Sequence, residues 1–157
     1  MLDVYRFVRE AGRHEGRLAI AELPRLADAL AQTEGEVDYR IESITGNQGQ
    51  ARLRLQVTGR LLLVCQRCLE AVAHDLVIDR LLELAPENSA PTQEEMEDDS
   101  VDILPLGGAL AVDALVEDEL LLSLPIVPRH AKCALPMAAA DGGQAHPFAA
   151  LAALKHH

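Results

Sequence analysis

The sequence predicts an α+β fold: a mainly antiparallel β-sheet with a long central hairpin, two flanking helices and a short C-terminal helix. Three observations carry that expectation. From Ala51 to Cys65, apolar residues occupy every second position, the period of a pleated strand. A second alternating run follows Cys68, with Val72, His74, Leu76 and Ile78 leading to Leu82 and Leu84 in phase. The two runs make a hairpin with Cys65 to Cys68 at its tip. Elsewhere, around 23–32 and 114–124, apolar residues recur at helical spacing.

The elements follow in order. Leu2, Val4, Tyr5, Phe7 and Val8 form an apolar opening compatible with strand or helix. Leu18 and Ile20 alternate within a short strand over Arg17 to Ala21. Pro24 suits the first turn of a helix that buries Leu23, Leu26, Ala27 and Leu30 and stops at Gly35. Val37, Tyr39 and Ile41 alternate with charged residues as in a half-buried strand, and Gly46-Asn47-Gln48-Gly49 turns the chain. The long strand that follows carries Arg52, Arg54, Gln56, Thr58 and Arg60 on its outer face, and Gly59 suggests a bulge or bend. Residues 85–102 are acidic and poor in apolar side chains, the composition of a mobile loop. A strand is expected near Val101 to Leu106. Asp113 is then the candidate N-cap of a helix that buries Leu115, Val116, Leu120, Leu122 and Leu124 and exposes Glu117, Asp118 and Glu119. Pro125 and Pro128 end it. The domain is expected to span 1–135, with 136–157 a linker and a short helix bearing Phe148, Leu151 and Leu154.

Size and composition bound the function. A chain of 157 residues, 49% hydrophobic, can bury a core without metal or disulfide staples, and with two Tyr, two Phe and no Trp that core is aliphatic. No apolar run approaches the length of a membrane span, and the charged opening is unlike an export signal, so a cytoplasmic protein is expected. Three cysteines in such a protein read as reduced thiols. The net charge is −11, but residues 1–80 hold 11 Arg against 12 acids while residues 81–157 hold 3 basic residues against 13 acidic. The acidic excess opposes diffuse attraction to nucleic acid or anionic membrane, yet leaves the arginine-rich half free to meet a polyanion locally.

Cys65-Gln66-Arg67-Cys68 is a C-x-x-C motif at the hairpin tip. Reduced thiols at a tight turn are the plainest reading, and a metal site ranks second. In that site His130 and Cys133 would complete a Cys₃His set for structural zinc. A redox pair ranks third, because the motif follows a strand and not a helix start. Arg52, Arg54 and Arg60, with Arg67 at the tip, are candidate phosphate contacts. The strand has no stacking aromatics, however, and a solvated face paired with neighbouring acids is the favoured reading. Glu94 to Asp99 are read as a solubilising run before a mimic of nucleic acid, and His74 as a hydrogen-bonded, partly buried histidine before a catalytic one. No catalytic constellation or phosphate loop is present, so neither an enzyme nor a small-molecule substrate is expected.

Two blocks carry a family resemblance. One is Gly59-Arg60-Leu61-Leu62-Leu63-Val64-Cys65-Gln66-Arg67-Cys68-Leu69-Glu70. The other runs from Asp113 through Val116-Glu117-Asp118-Glu119-Leu120 and Leu124-Pro125-Ile126-Val127-Pro128 to His130. In this order, separated by an acidic stretch, they resemble the YceD family, the bacterial large ribosomal RNA subunit accumulation proteins; Glu15-Gly16 and Leu23-Pro24-Arg25-Leu26 extend the likeness. The resemblance implies a non-catalytic cytoplasmic factor supporting synthesis or accumulation of large-subunit (23S) ribosomal RNA, with a cysteine pair matching Cys65 and Cys68. Its expected partner is that RNA, through the arginine face, or a basic ribosomal protein, through the acidic half; the composition favours the protein. The alternative from another class is a zinc-stabilised protein-interaction module without a ribosomal role.

Overall fold

A computed structural model describes residues 1–46, 49–86, 102–106 and 108–135. Leu2–Asp3 (β1) lead into a short helix, Val4–Arg9 (α1), which resolves the ambiguous opening: Asp3 caps the helix by accepting the Arg6 N–H. Five strands then form the main sheet: Arg13–Ala19 (β2), Glu36–Thr45 (β3), Ala51–Val64 (β4), Ala71–Pro86 (β5) and Asp102–Leu106 (β6). They lie in sequence order. Ala109–Leu110 (β7) pairs with β1, and Val112–Ser123 (α2) closes the described elements.

The α+β class holds, but the sheet is mixed. β2 to β5 form an antiparallel meander, whereas β6 runs parallel to β5, from Leu82 opposite Asp102 to Pro86 opposite Leu106. Alternation reports which face a side chain occupies and is blind to strand direction, so the expectation of a mainly antiparallel sheet missed this pair. A parallel partner needs a crossover of a dozen or more residues. The acidic stretch, which includes 87–101, supplies that length; the loop expected over 85–102 otherwise lies outside the described residues, as does the short helix expected near 147–155.

The hairpin is the backbone of the molecule. β4 and β5 pair without interruption from Arg52 opposite Glu83 to Val64 opposite Ala71, so Gly59 makes no bulge. Its role is close approach: a Cβ there would lie 2.9 Å from Val37 Cγ1 on β3. The inward positions Leu53, Leu55, Val57, Leu61 and Leu63 are buried, with Val37, Ile41, Leu76, Ile78 and Leu82 beside them. Val4 and Phe7 of α1, the 20–30 segment and α2 cover this face.

The helix expected at 23–32 is instead a strap with two 3₁₀ turns, Ile20–Glu22 and Ala27–Ala29. Its amides reach back three residues, as in Leu26 to Leu23 and Leu30 to Ala27. Local helix preference over so few residues is weak enough for tertiary contacts to override it. The main sheet also claims its end, since Leu30 bridges Leu63 and Ala31 donates to the Leu62 carbonyl. Leu23, Leu26 and Leu30 still bury as the spacing required.

In α2, Leu115, Val116 and Leu120 face the core as expected, but Glu117 and Glu119 are also buried, at 5% and 6% exposure, while Leu122 is exposed. Arginines from other elements change the register of burial. Glu117 accepts the Arg25 and Leu26 backbone N–H groups and the Arg25 guanidinium, and Arg80 lies 3.5 Å from Glu119. Ala111 occupies the N-cap position, and Asp113 lies in the first turn, where a carboxylate favours the helix dipole.

Candidate metal centre and the charged sheet face

The uninterrupted β4–β5 pairing delivers Cys65 and Cys68 to the hairpin tip. The turn is held by the Cys65 N–H to the Glu70 carbonyl and the Leu69 N–H to the Cys65 carbonyl, both 2.9 Å, with Leu69 in the left-handed region at φ 64°. After α2, the proline-rich segment folds back along the tip, where Gln66 N–H donates to the Pro128 carbonyl at 2.9 Å. That bond brings His130 and Cys133 to the two cysteines across more than sixty residues of chain.

The four ligand atoms of Cys65, Cys68, His130 and Cys133 lie within 4.8 Å of one another. Cys65 Sγ is 3.9 Å from Cys133 Sγ, and Cys68 Sγ is 3.3 Å from His130 Nδ1. The His130 Nε2 stands 3.0 Å from the Ala71 carbonyl, which fixes the ring with Nδ1 toward the sulfurs. Cys65 is fully buried, the other three are half-buried, and all three thiols are free of disulfides. Burial opposes charge on Cys65, but the backbone N–H groups of Cys68, His130 and Arg67 outweigh it and hold that thiol down at about 5. Burial and the neighbouring sulfurs of Cys65 and Cys68 push Cys133 up to about 11. The set therefore offers a ready thiolate and, beside it, thiols whose crowding a cation would relieve. It could hold one metal ion.

The outer-face arginines are brought into a different arrangement. Arg52 pairs with Glu83 and Arg60 with Asp75 directly across the β4–β5 ladder, and Arg54 reaches diagonally to Asp79, two residue pairs along on the same face. Arg17 meets Glu36 and Asp38, and Arg40 meets Glu15, so the face is a lattice of alternating charge. The Arg54 guanidinium holds Asp79 down at about 2, and Arg60 lowers Asp75. Arg67 is separate from them, exposed at the tip beside the cysteines. His74 is half-buried in its strand.

Two features escaped the pattern of the sequence. The Arg25–Glu117 lock joins residues far apart in the chain, and alternation or helical spacing cannot pair them. Arg129 and Lys132 flank His130, but their spacing becomes meaningful only once the segment is folded onto the hairpin tip.

No solved structure gives a significant match to the chain. The family described as Large ribosomal RNA subunit accumulation protein YceD matches residues 53–155, a stretch that takes in the hairpin, α2 and all four residues of the cluster, and the chain thus belongs to the YceD family.

Proposed function

We propose that this protein is a non-catalytic factor supporting synthesis or accumulation of large-subunit (23S) ribosomal RNA in the cytoplasm, by binding RNA or a ribosomal protein. The family match over 53–155 carries the reading. In it, Cys65, Cys68, His130 and Cys133 hold a structural zinc. A tetrahedral ion at usual bond lengths sets sulfur–sulfur edges of about 3.8 Å and sulfur–nitrogen edges of about 3.6 Å. The 3.9 and 3.3 Å separations agree to within a few tenths of an ångström. The ion supplies a cross-link, tying the hairpin tip to the segment after α2. With every ligand from the protein, no position is left open for chemistry.

The self-paired sheet face weighs against Arg52, Arg54 and Arg60 as an RNA surface, because phosphates would have to displace carboxylates already in place. The test is the ratio of large- to small-subunit ribosomal RNA in cells with and without the gene, normalised to growth rate. Selective loss of large-subunit RNA is expected. An unchanged ratio would favour the second reading, which the four-ligand cluster supports: a zinc-stabilised interaction module without a ribosomal role.

A further inference from the structure

Among the described residues, nine arginines are ion-paired: Arg6, Arg13, Arg17, Arg25, Arg40, Arg52, Arg54, Arg60 and Arg80. The cations without an ion-pair partner there are Arg9, Arg67, Arg129 and Lys132, and the last three gather around the Cys₃His cluster. Their placement follows from the ligands. Arg67 lies between Cys65 and Cys68, Arg129 precedes His130, and Lys132 precedes Cys133. The ligand side chains turn toward one another, within 4.8 Å, while all three cations are exposed. The Gln66–Pro128 bond sets the Arg67 turn beside the Arg129 segment.

We infer that this end of the molecule, centred on Arg67, Arg129 and Lys132, is the surface that contacts the phosphate backbone of RNA. The inference rests on the ribosomal RNA reading above and gives it a location. Charge supports it. A zinc held by three thiolates and a neutral imidazole carries one net negative charge, and Glu70 adds another. Three cations therefore leave this end positive on a chain of net charge −11. At physiological salt, charges more than about 8 Å away are largely screened, so the local sign governs contact. The sheet arginines must abandon a carboxylate to bind phosphate; these three have none to abandon among the described residues. Leu69 and Leu135, 67% and 69% exposed, flank the patch and offer apolar contact to sugars and base edges. With no aromatic side chain at the patch among the described residues, recognition is of the backbone and tolerant of sequence.

The test is anisotropy of a labelled 20-nucleotide single-stranded RNA titrated with zinc-loaded full-length protein at several salt concentrations. Three phosphate contacts give a slope of log affinity against log salt near −2, each contact contributing about −0.7. The triple variant Arg67→Gln, Arg129→Gln and Lys132→Gln should bring that slope close to zero while keeping one equivalent of zinc. Arg54→Gln with Arg60→Gln should leave it unchanged. A triple variant with wild-type affinity and slope overturns the proposal. So does equal binding of a polyglutamate peptide of matched charge, which would assign the patch to an acidic protein. The ribosomal RNA ratio in cells separates the two levels. If deletion of the gene lowers it and the triple variant restores it fully, the patch proposal fails and the broader reading stands. If deletion leaves it unchanged, the broader reading fails.

Discussion

Replacing Glu117 by Ala should destabilise the protein by about 3 kcal/mol, although this carboxylate belongs to no ligand set. Glu117 is 5% exposed and takes three hydrogen bonds: from the Arg25 N–H at 2.7 Å, the Leu26 N–H at 3.2 Å and Arg25 Nε at 2.7 Å. Leu26 is fully buried, and its amide shares its hydrogen between Glu117 and the Leu23 carbonyl, both at 3.2 Å, so it falls back on Leu23 when the carboxylate goes. The main losses are the two 2.7 Å bonds from the Arg25 amide and Nε, and a bond to a charged acceptor is worth about 1.5–3 kcal/mol. Arg25 is half exposed and keeps Asp118, which holds the sum toward the lower end of the range for a broken buried pair. For a chain of this size the loss corresponds to a fall in Tm of roughly 6–12 °C. Glu117→Gln keeps one acceptor oxygen and should lose about half as much.

The pH dependence of Glu117 has a definite sign. Burial acts to raise its pKa, but the hydrogen bonds from Arg25 and Leu26 overcome it, and the net shift is downward from 4.5. A lowered folded pKa means the contribution is complete above the unfolded value and is lost as pH falls through the folded one. Urea denaturation of wild type and both variants between pH 7 and pH 3 should therefore show the gap narrowing below about pH 4.5. A loss under about 0.5 kcal/mol for Glu117→Ala at pH 7, within the scatter of ordinary surface substitutions, would refute the lock between strap and helix.

Other outcomes can be measured directly. Tag-free protein should bind about one equivalent of zinc, and Cys68→Ser or His130→Ala should reduce occupancy well below that by metal analysis. Zinc should be released on acidification as thiolates are protonated, followed by equilibrium dialysis from pH 7 downward. Gly59→Val should be strongly destabilising in a thermal melt, since even a Cβ meets Val37 at 2.9 Å. Asp79 should titrate at about 2 by NMR, and Arg54→Gln should move it upward toward its ordinary value. Arg60→Gln should shift Tm by less than about 2 °C, because its pair with Asp75 is exposed to solvent.

By itself the sequence determined what depends on local period. Alternation over 51–65 and 72–84 specified the hairpin, its inward face and the presence of two cysteines at its tip, because a pleated strand sends successive side chains to opposite faces. The spacing of Leu23, Leu26 and Leu30 foretold their burial although the backbone chose 3₁₀ turns. Tertiary structure alone decided what depends on elements meeting. Strand direction leaves no trace in alternation, so the parallel β6 was invisible. Glu117 and Glu119 read as solvent-facing on their helix until Arg25 and Arg80 arrived from other elements to hold them. Sequence spacing could nominate Cys65, Cys68, His130 and Cys133 as one set; the packing of the proline-rich segment on the hairpin, through the Gln66–Pro128 and His130–Ala71 contacts, brings their ligand atoms within reach of a single ion.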